Sequence, residues 1–139
     1  MLSITLGFVV AIIGFFVARS IAKSVRTNTP LVCPRRAPCE DVVMSPYGKF
    51  LGISNARIGQ WYYGCTAILF LFVMDGISFP LQLPCMVLIT TGGVLFSLYL
   101  VGVQAFALRK WCVWCLISTA CALSIFVCVI IFVHRIFLR

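Results

Sequence analysis

Charge is what this chain has least of. Only 10% of its 139 residues are Asp, Glu, Lys or Arg, and just three are acidic. An average soluble domain carries roughly 25% charged residues. Too few polar groups remain to cover a globular surface, so a soluble fold is excluded. A disordered chain and a coiled coil fall by the same numbers. Histidine is nearly missing as well: the one copy, His134, lies close to the C-terminal end. No internal repeat or low-complexity tract interrupts the chain. What is there is apolar, with 63% hydrophobic residues and a mean hydropathy of +1.13. The formal charge of +8 therefore does not mark a nucleic-acid binder. Only an all-α integral membrane protein fits.

A bilayer core takes roughly 17–25 apolar residues per helix. Four runs qualify, over about residues 2–18, 58–74, 85–108 and 111–133. The first has neither the basic start nor the small-residue cleavage site of a signal peptide, and is expected to be retained. The second opens on Trp61, Tyr62 and Tyr63, side chains suited to the headgroup boundary. The expected architecture is a single domain over 1–139. It is a four-transmembrane-helix bundle with a long cysteine-bearing loop, about 19–57, between helices 1 and 2. Loops that long in a compact domain tend to be functional. Pro30, Pro34, Pro38 and Pro46 argue against a long helix within it. Four spans put both termini on one side, and that loop with the third-to-fourth turn on the other. Cys33, Cys39, Cys112 and Cys115 then share a face.

Eight cysteines divide by depth. Cys65, Cys85, Cys121 and Cys128 fall in apolar runs, where they are expected to behave as small buried hydrophobes. The other four can carry chemistry. Cys112-Val113-Trp114-Cys115 is a CxxC that opens a helix, with its sulfurs within disulfide reach. A helix N-terminus also favours the thiolate. A structural zinc site using all four sulfurs is the alternative. Against it, the loop pair has C-x5-C spacing in a proline-broken segment, and His134 is remote. Two dithiol pairs at a membrane boundary suggest a relay. The loop pair would exchange with a soluble thiol protein, and the helix pair would pass electrons to a lipid-soluble acceptor such as a quinone.

Cys33-x5-Cys39, the stretch Ser45-Pro46-Tyr47-Gly48-Lys49-Phe50-Leu51-Gly52, then Asn55, Gly59 and the later CxxC resemble the vitamin K epoxide reductase (VKOR) family and its microbial homologues. Bacterial quinone-coupled oxidases of the other known type place their CxxC before the loop pair, the reverse of the order here. The resemblance implies a membrane thiol:quinone oxidoreductase that generates disulfide bonds. Cys33 would be the outer shuttle cysteine that meets a thioredoxin-like protein. Cys39 would pass the disulfide inward by pairing with Cys112. Cys115 would face the quinone, in a charge-transfer contact or transient adduct. Ser45 matches a serine at the family's active site, and Asn55 matches an asparagine that hydrogen-bonds a quinone carbonyl. Its position just before the second span would equally suit a helix cap.

Tyr62, Tyr63 and Tyr99 could line a quinone pocket or anchor the boundary. Tyr62 is the better candidate, because it follows Asn55 by seven residues and so shares its helix face. Where vertebrate relatives place a quinone-binding tyrosine, this chain has Thr119. That suits a respiratory quinone of the ubiquinone or menaquinone type rather than vitamin K epoxide. No metal is expected. No fused thioredoxin domain is expected after the last span, and the thiol partner is expected in trans.

Sidedness is the one point on which the signals conflict. Arg19, Lys23, Arg26, Arg35, Arg36, Lys49, Arg57, Arg109 and Lys110 lie on the cysteine face, against Arg135 and Arg139 on the other. The positive-inside rule puts that face in the cytoplasm of a multi-pass cell-membrane protein. Most relatives instead keep their cysteines outside, where disulfides persist. The charge bias favours the cytoplasmic side.

Overall fold

Helix α1 (Leu2–Thr27) shows how apolar patterning becomes packing. Its buried residues include Ile4, Gly7, Ala11, Gly14, Ala18 and Ile21, alternating steps of three and four that draw one stripe along the helix. Most of the stripe is small, and lipid tails give apolar helices little reason to associate except close van der Waals contact. The Phe70 ring covers Gly7 and the Tyr63 ring covers Gly14. The numbers run in opposite directions, so α1 and α3 (Asn55–Met74) are antiparallel. A Cβ at Gly14 would come within 2.7 Å of two further ring atoms of Tyr63.

The structure, a computed structural model, describes residues 1–33, 38–77 and 79–139. Within them α1 is followed by a short α2 (Cys39–Val43), a 3-10 turn at Pro46–Gly48 and a small antiparallel hairpin. The hairpin pairs β1 (Lys49–Phe50) with β2 (Ile53–Ser54), Lys49 opposite Ser54 and Phe50 opposite Ile53. Its two central residues, Leu51 and Gly52, both have positive φ, at 52° and 82°. That is the turn geometry that matches strand twist. Helices α3, α4 (Gln82–Gly102) and α5 (Val113–Phe137) complete the bundle. A π-helical turn, Val103–Leu108, continues α4 towards α5. Helix α1 packs against α3 and α5, while α4 packs against α5 and, less extensively, α3. The core sits among Ile4, Ala11, Tyr63, Phe70, Met86, Ile125 and Val129.

Among the described residues, three helices are long and apolar enough to cross a bilayer: Leu2–Thr27, Gln82–Leu108 and Val113–Phe137. Helix α3 is not among them. It opens with Asn55, Arg57 and Gln60, which dilute its apolar second half. The expected fourth span is therefore a packed 20-residue helix whose crossing composition alone does not establish.

Two local expectations also change. Helix α1 does not stop at Arg19 but runs on to Thr27 and ends at Asn28, in the left-handed region at φ 50°. A membrane edge is not a helix stop, and Arg19, Lys23 and Arg26 are good helix formers. Among the apolar-run cysteines Cys128 is buried and Cys85 and Cys121 are half-buried, but Cys65 is exposed. It lies off the stripe of Tyr63, Thr66, Ala67 and Phe70 that faces the bundle interior. Arg35 and Arg36, counted above on the basic face, lie outside the described residues, as does Pro34.

Candidate functional site

Cys112 precedes the first turn of α5 in extended backbone, φ −99° and ψ 112°, and acts as its cap. Its Sγ accepts the backbone N–H of Cys115 at 3.4 Å. A helix N-terminus leaves several N–H groups without partners, and here a sulfur takes one of them. The Cys115 thiol donates to the same sulfur, and this bond is the main cause that holds the Cys112 thiol below its ordinary pKa. Burial opposes it, and the N–H groups of Cys115 and Trp114 add to it.

The loop pair closes on the same place. Cys33 and Cys39 are joined in a disulfide with their Cα atoms 6.3 Å apart, while Cys112 and Cys115 are free thiols. Cys39 and Cys112 are both fully buried and form one apolar cluster with Val42. Cys33 and Cys115 pack against that cluster, with Leu31, Val43, Leu108 and Trp114. All four sequence-selected cysteines are thus brought together.

Several contacts pin the two cysteine segments to each other. The Trp114 indole N–H donates to the carbonyl of Val32, next to Cys33, at 3.0 Å. Lys110 meets Asp41 at 2.7 Å, tying α2 to the entrance of α5. Both ends of that ion pair are about half exposed, so it contributes at most about 1 kcal/mol. Gly48 sits so close to the carbonyl of Val43 that no side chain fits there.

Beside Cys115 a small cleft of about 80 Å³ opens. Its walls are largely apolar, from Ala18, Ile21, Leu100, Val103 and Leu108. Asn55, Ser97, Gln104, Ser118 and Thr119 add polar groups. Thr119 bonds the Cys115 carbonyl at 3.0 Å. Largely apolar walls with a few polar groups are the usual lining of a small-molecule site.

Asn55 is not the cap of α3, because Ser54 takes that place by accepting the Arg57 N–H. The Asn55 Nδ2 donates to the Tyr47 carbonyl at 2.7 Å, while its Oδ1 is buried and has no partner among the described residues. An unpaired buried amide oxygen in a cleft wall calls for a partner, from water or from a bound molecule.

Ser45 and Tyr62 stand elsewhere. Ser45 is half-buried and donates to the Val42 carbonyl at 2.7 Å, so it braces the end of α2 rather than facing the cleft. Tyr62 does not line the cleft; its ring presses on Gly93 of α4. Its neighbour Tyr63 bonds Ser118, and Tyr99 is largely exposed. Gln104 carries no motif, and sequence reasoning passes over it. Its only early signal is an amide inside an apolar run. It is buried, lines the cleft, and its Oε1 accepts the Cys112 backbone N–H at 2.8 Å.

Residues 2–130 match the model of the vitamin K epoxide reductase family. No curated protein matches the chain.

Proposed function

We propose, for a chain that belongs to the vitamin K epoxide reductase family, that its activity as a membrane thiol oxidoreductase is the quinone-dependent formation of disulfide bonds. The thiols come from a thioredoxin-like protein in trans. One observation carries this reading: an oxidised pair and a reduced pair share a buried cluster, and the reduced pair borders an apolar cleft.

The relay conserves electrons at each step. A partner thiolate attacks Cys33, breaking the Cys33–Cys39 bond, and the partner's second thiol resolves the mixed disulfide. The partner leaves oxidised, and Cys33 and Cys39 are left as two thiols. With Cys112 and Cys115 in their disulfide form, the Cys39 thiolate attacks Cys112 Sγ and Cys115 departs as the leaving thiolate. Cys33 then attacks Cys39, restoring Cys33–Cys39 and releasing the Cys112 thiol. The resulting arrangement matches the one described above.

A bound quinone supplies the two-electron acceptor that returns Cys112 and Cys115 to the disulfide. Cys115 faces it from the cleft wall. Asn55 offers its second Nδ2–H to a carbonyl and its free Oδ1 to the hydroxyl of the reduced ring. Helix α3 crosses the membrane as a fourth span in this reading, and the charge bias places the cysteine face towards the cytoplasm.

The test is quinone reduction driven by a reduced thioredoxin-like protein or by a small permeant dithiol, on the wild type and each Cys→Ala variant. Cys115→Ala is expected to lose activity with both reductants. Cys33→Ala is expected to fail with the protein and work with the small dithiol. Equal activity of Cys33→Ala with both would overturn the shuttle role. Activity in Cys115→Ala would overturn the relay. Stoichiometric zinc with four protected thiols would favour a structural metal site instead.

A further inference from the structure

One buried polar side chain has no part in the relay above. Gln104 is only 2% exposed, and a carboxamide in an apolar bundle needs partners for both of its ends. One end is accounted for: Oε1 accepts the Cys112 N–H at 2.8 Å. The other, Nε2, makes no hydrogen bond to a described residue and is not one of the fully buried unpaired atoms, so it is left reachable from the cleft. The side chain lines the cleft that Cys115 borders.

The backbone explains how it arrives there. Gln104 is the second residue of the π-helical turn Val103–Leu108, a geometry that recurs at functional sites. The chain then reverses through Arg109 at φ 50°. Its return is held by the Gln104 carbonyl, which accepts the Lys110 N–H at 3.2 Å. Gln104 thus fastens the entrance to the CxxC by its main chain and by one end of its side chain.

We propose that the other end binds the electron acceptor. The Nε2 of Gln104 donates to a quinone carbonyl, so that a single amide sets the spacing between the Cys112–Cys115 pair and the ring that oxidises it. This assignment rests on the quinone reading and adds a specificity-determining residue to it. A compound without a carbonyl at that position would forfeit the bond.

Two variants separate ligand binding from fastening. Gln104→Glu keeps an oxygen to accept the Cys112 N–H, and its second oxygen is a donor only while protonated. Gln104→Met has nearly the same shape and neither function. The probe is menadione, with a small dithiol as reductant. The readouts are steady-state KM and kcat, and equilibrium binding to the oxidised protein by calorimetry.

The wild type is expected to bind with an affinity independent of pH across neutrality. In Gln104→Met both Kd and KM are expected to rise about fivefold, the weight of one neutral hydrogen bond. In Gln104→Glu they should stay near wild type at low pH and climb as the carboxyl ionises, because the donor is lost and a negative charge then faces the carbonyl. Unchanged Kd and KM in both variants, with only kcat or thermal stability altered, would reduce Gln104 to a fastener and overturn the assignment while leaving the relay intact. A wild type that neither binds nor reduces menadione would overturn the quinone reading and this one with it.

Discussion

At Cys112 the thiol is held low by groups that belong to its own motif. The Cys115 thiol is the first of them, so replacing it removes the main stabiliser of the thiolate. In a protein with Cys65, Cys85, Cys121 and Cys128 replaced, Cys115→Ala is expected to raise the Cys112 pKa towards the free-cysteine value of about 8.5. The sign follows from the shift: a depressed thiol is ionised and reactive at lower pH, and the variant should need more alkaline solution to react. The pH profile of thiolate ultraviolet absorbance checks this, and an unmoved midpoint would contradict it. Gly48 gives a residue-scale prediction of another kind. Its place against the Val43 carbonyl admits no Cβ, so Gly48→Ala must shift the end of α2, the helix that carries Cys39. Exchange between the two cysteine pairs should slow at least tenfold, about 1.4 kcal/mol of barrier, and menadione binding should weaken with it, because Gly48 and Val43 also line the cleft.

Among the elements, the seam between α1 and α3 offers the sharpest contrast. Gly14→Leu must displace the Tyr63 ring and its hydroxyl contact with Ser118. Overpacking typically costs about 1–3 kcal/mol, so thermal unfolding in detergent should occur at lower temperature. Gly64→Ala is the control. Its Cβ would meet Phe15 at 3.7 Å, an ordinary contact, and alanine is favoured over glycine inside a helix by roughly 0.5–1 kcal/mol. It should be neutral or stabilising. The elements also show where sequence is legible. Apolar run length located the long helices, and the order and spacing of Cys33, Cys39, Cys112 and Cys115 pointed to the cluster. Helix ends and depths were harder. Tyr62 shares a face with Asn55, but seven residues of helix rise about 10 Å, which carries it past the cleft to Gly93. Gln104 was hidden because a π-helical turn shifts the register by which a sequence reader assigns faces. Helix α3 blurs because its polar first half serves the site while its second half serves the core.

For the whole molecule, orientation is the open physical question, and it has a direct measurement. With the charge bias obeyed, an impermeant maleimide applied to intact cells should label R139C and leave a reduced Cys33 untouched until the membrane is permeabilised. Labelling of Cys33 on intact cells would reverse the assignment. Redox state should also be visible without any label. The Trp114 indole is bonded to the Val32 carbonyl, next to Cys33, so opening the Cys33–Cys39 bond loosens the carbonyl that fixes it. Trp61 and Trp111 are exposed and supply a nearly constant background. Tryptophan emission should therefore shift when the outer pair is reduced, and Trp114→Phe should abolish the shift, giving the protein a built-in optical gauge of its own turnover.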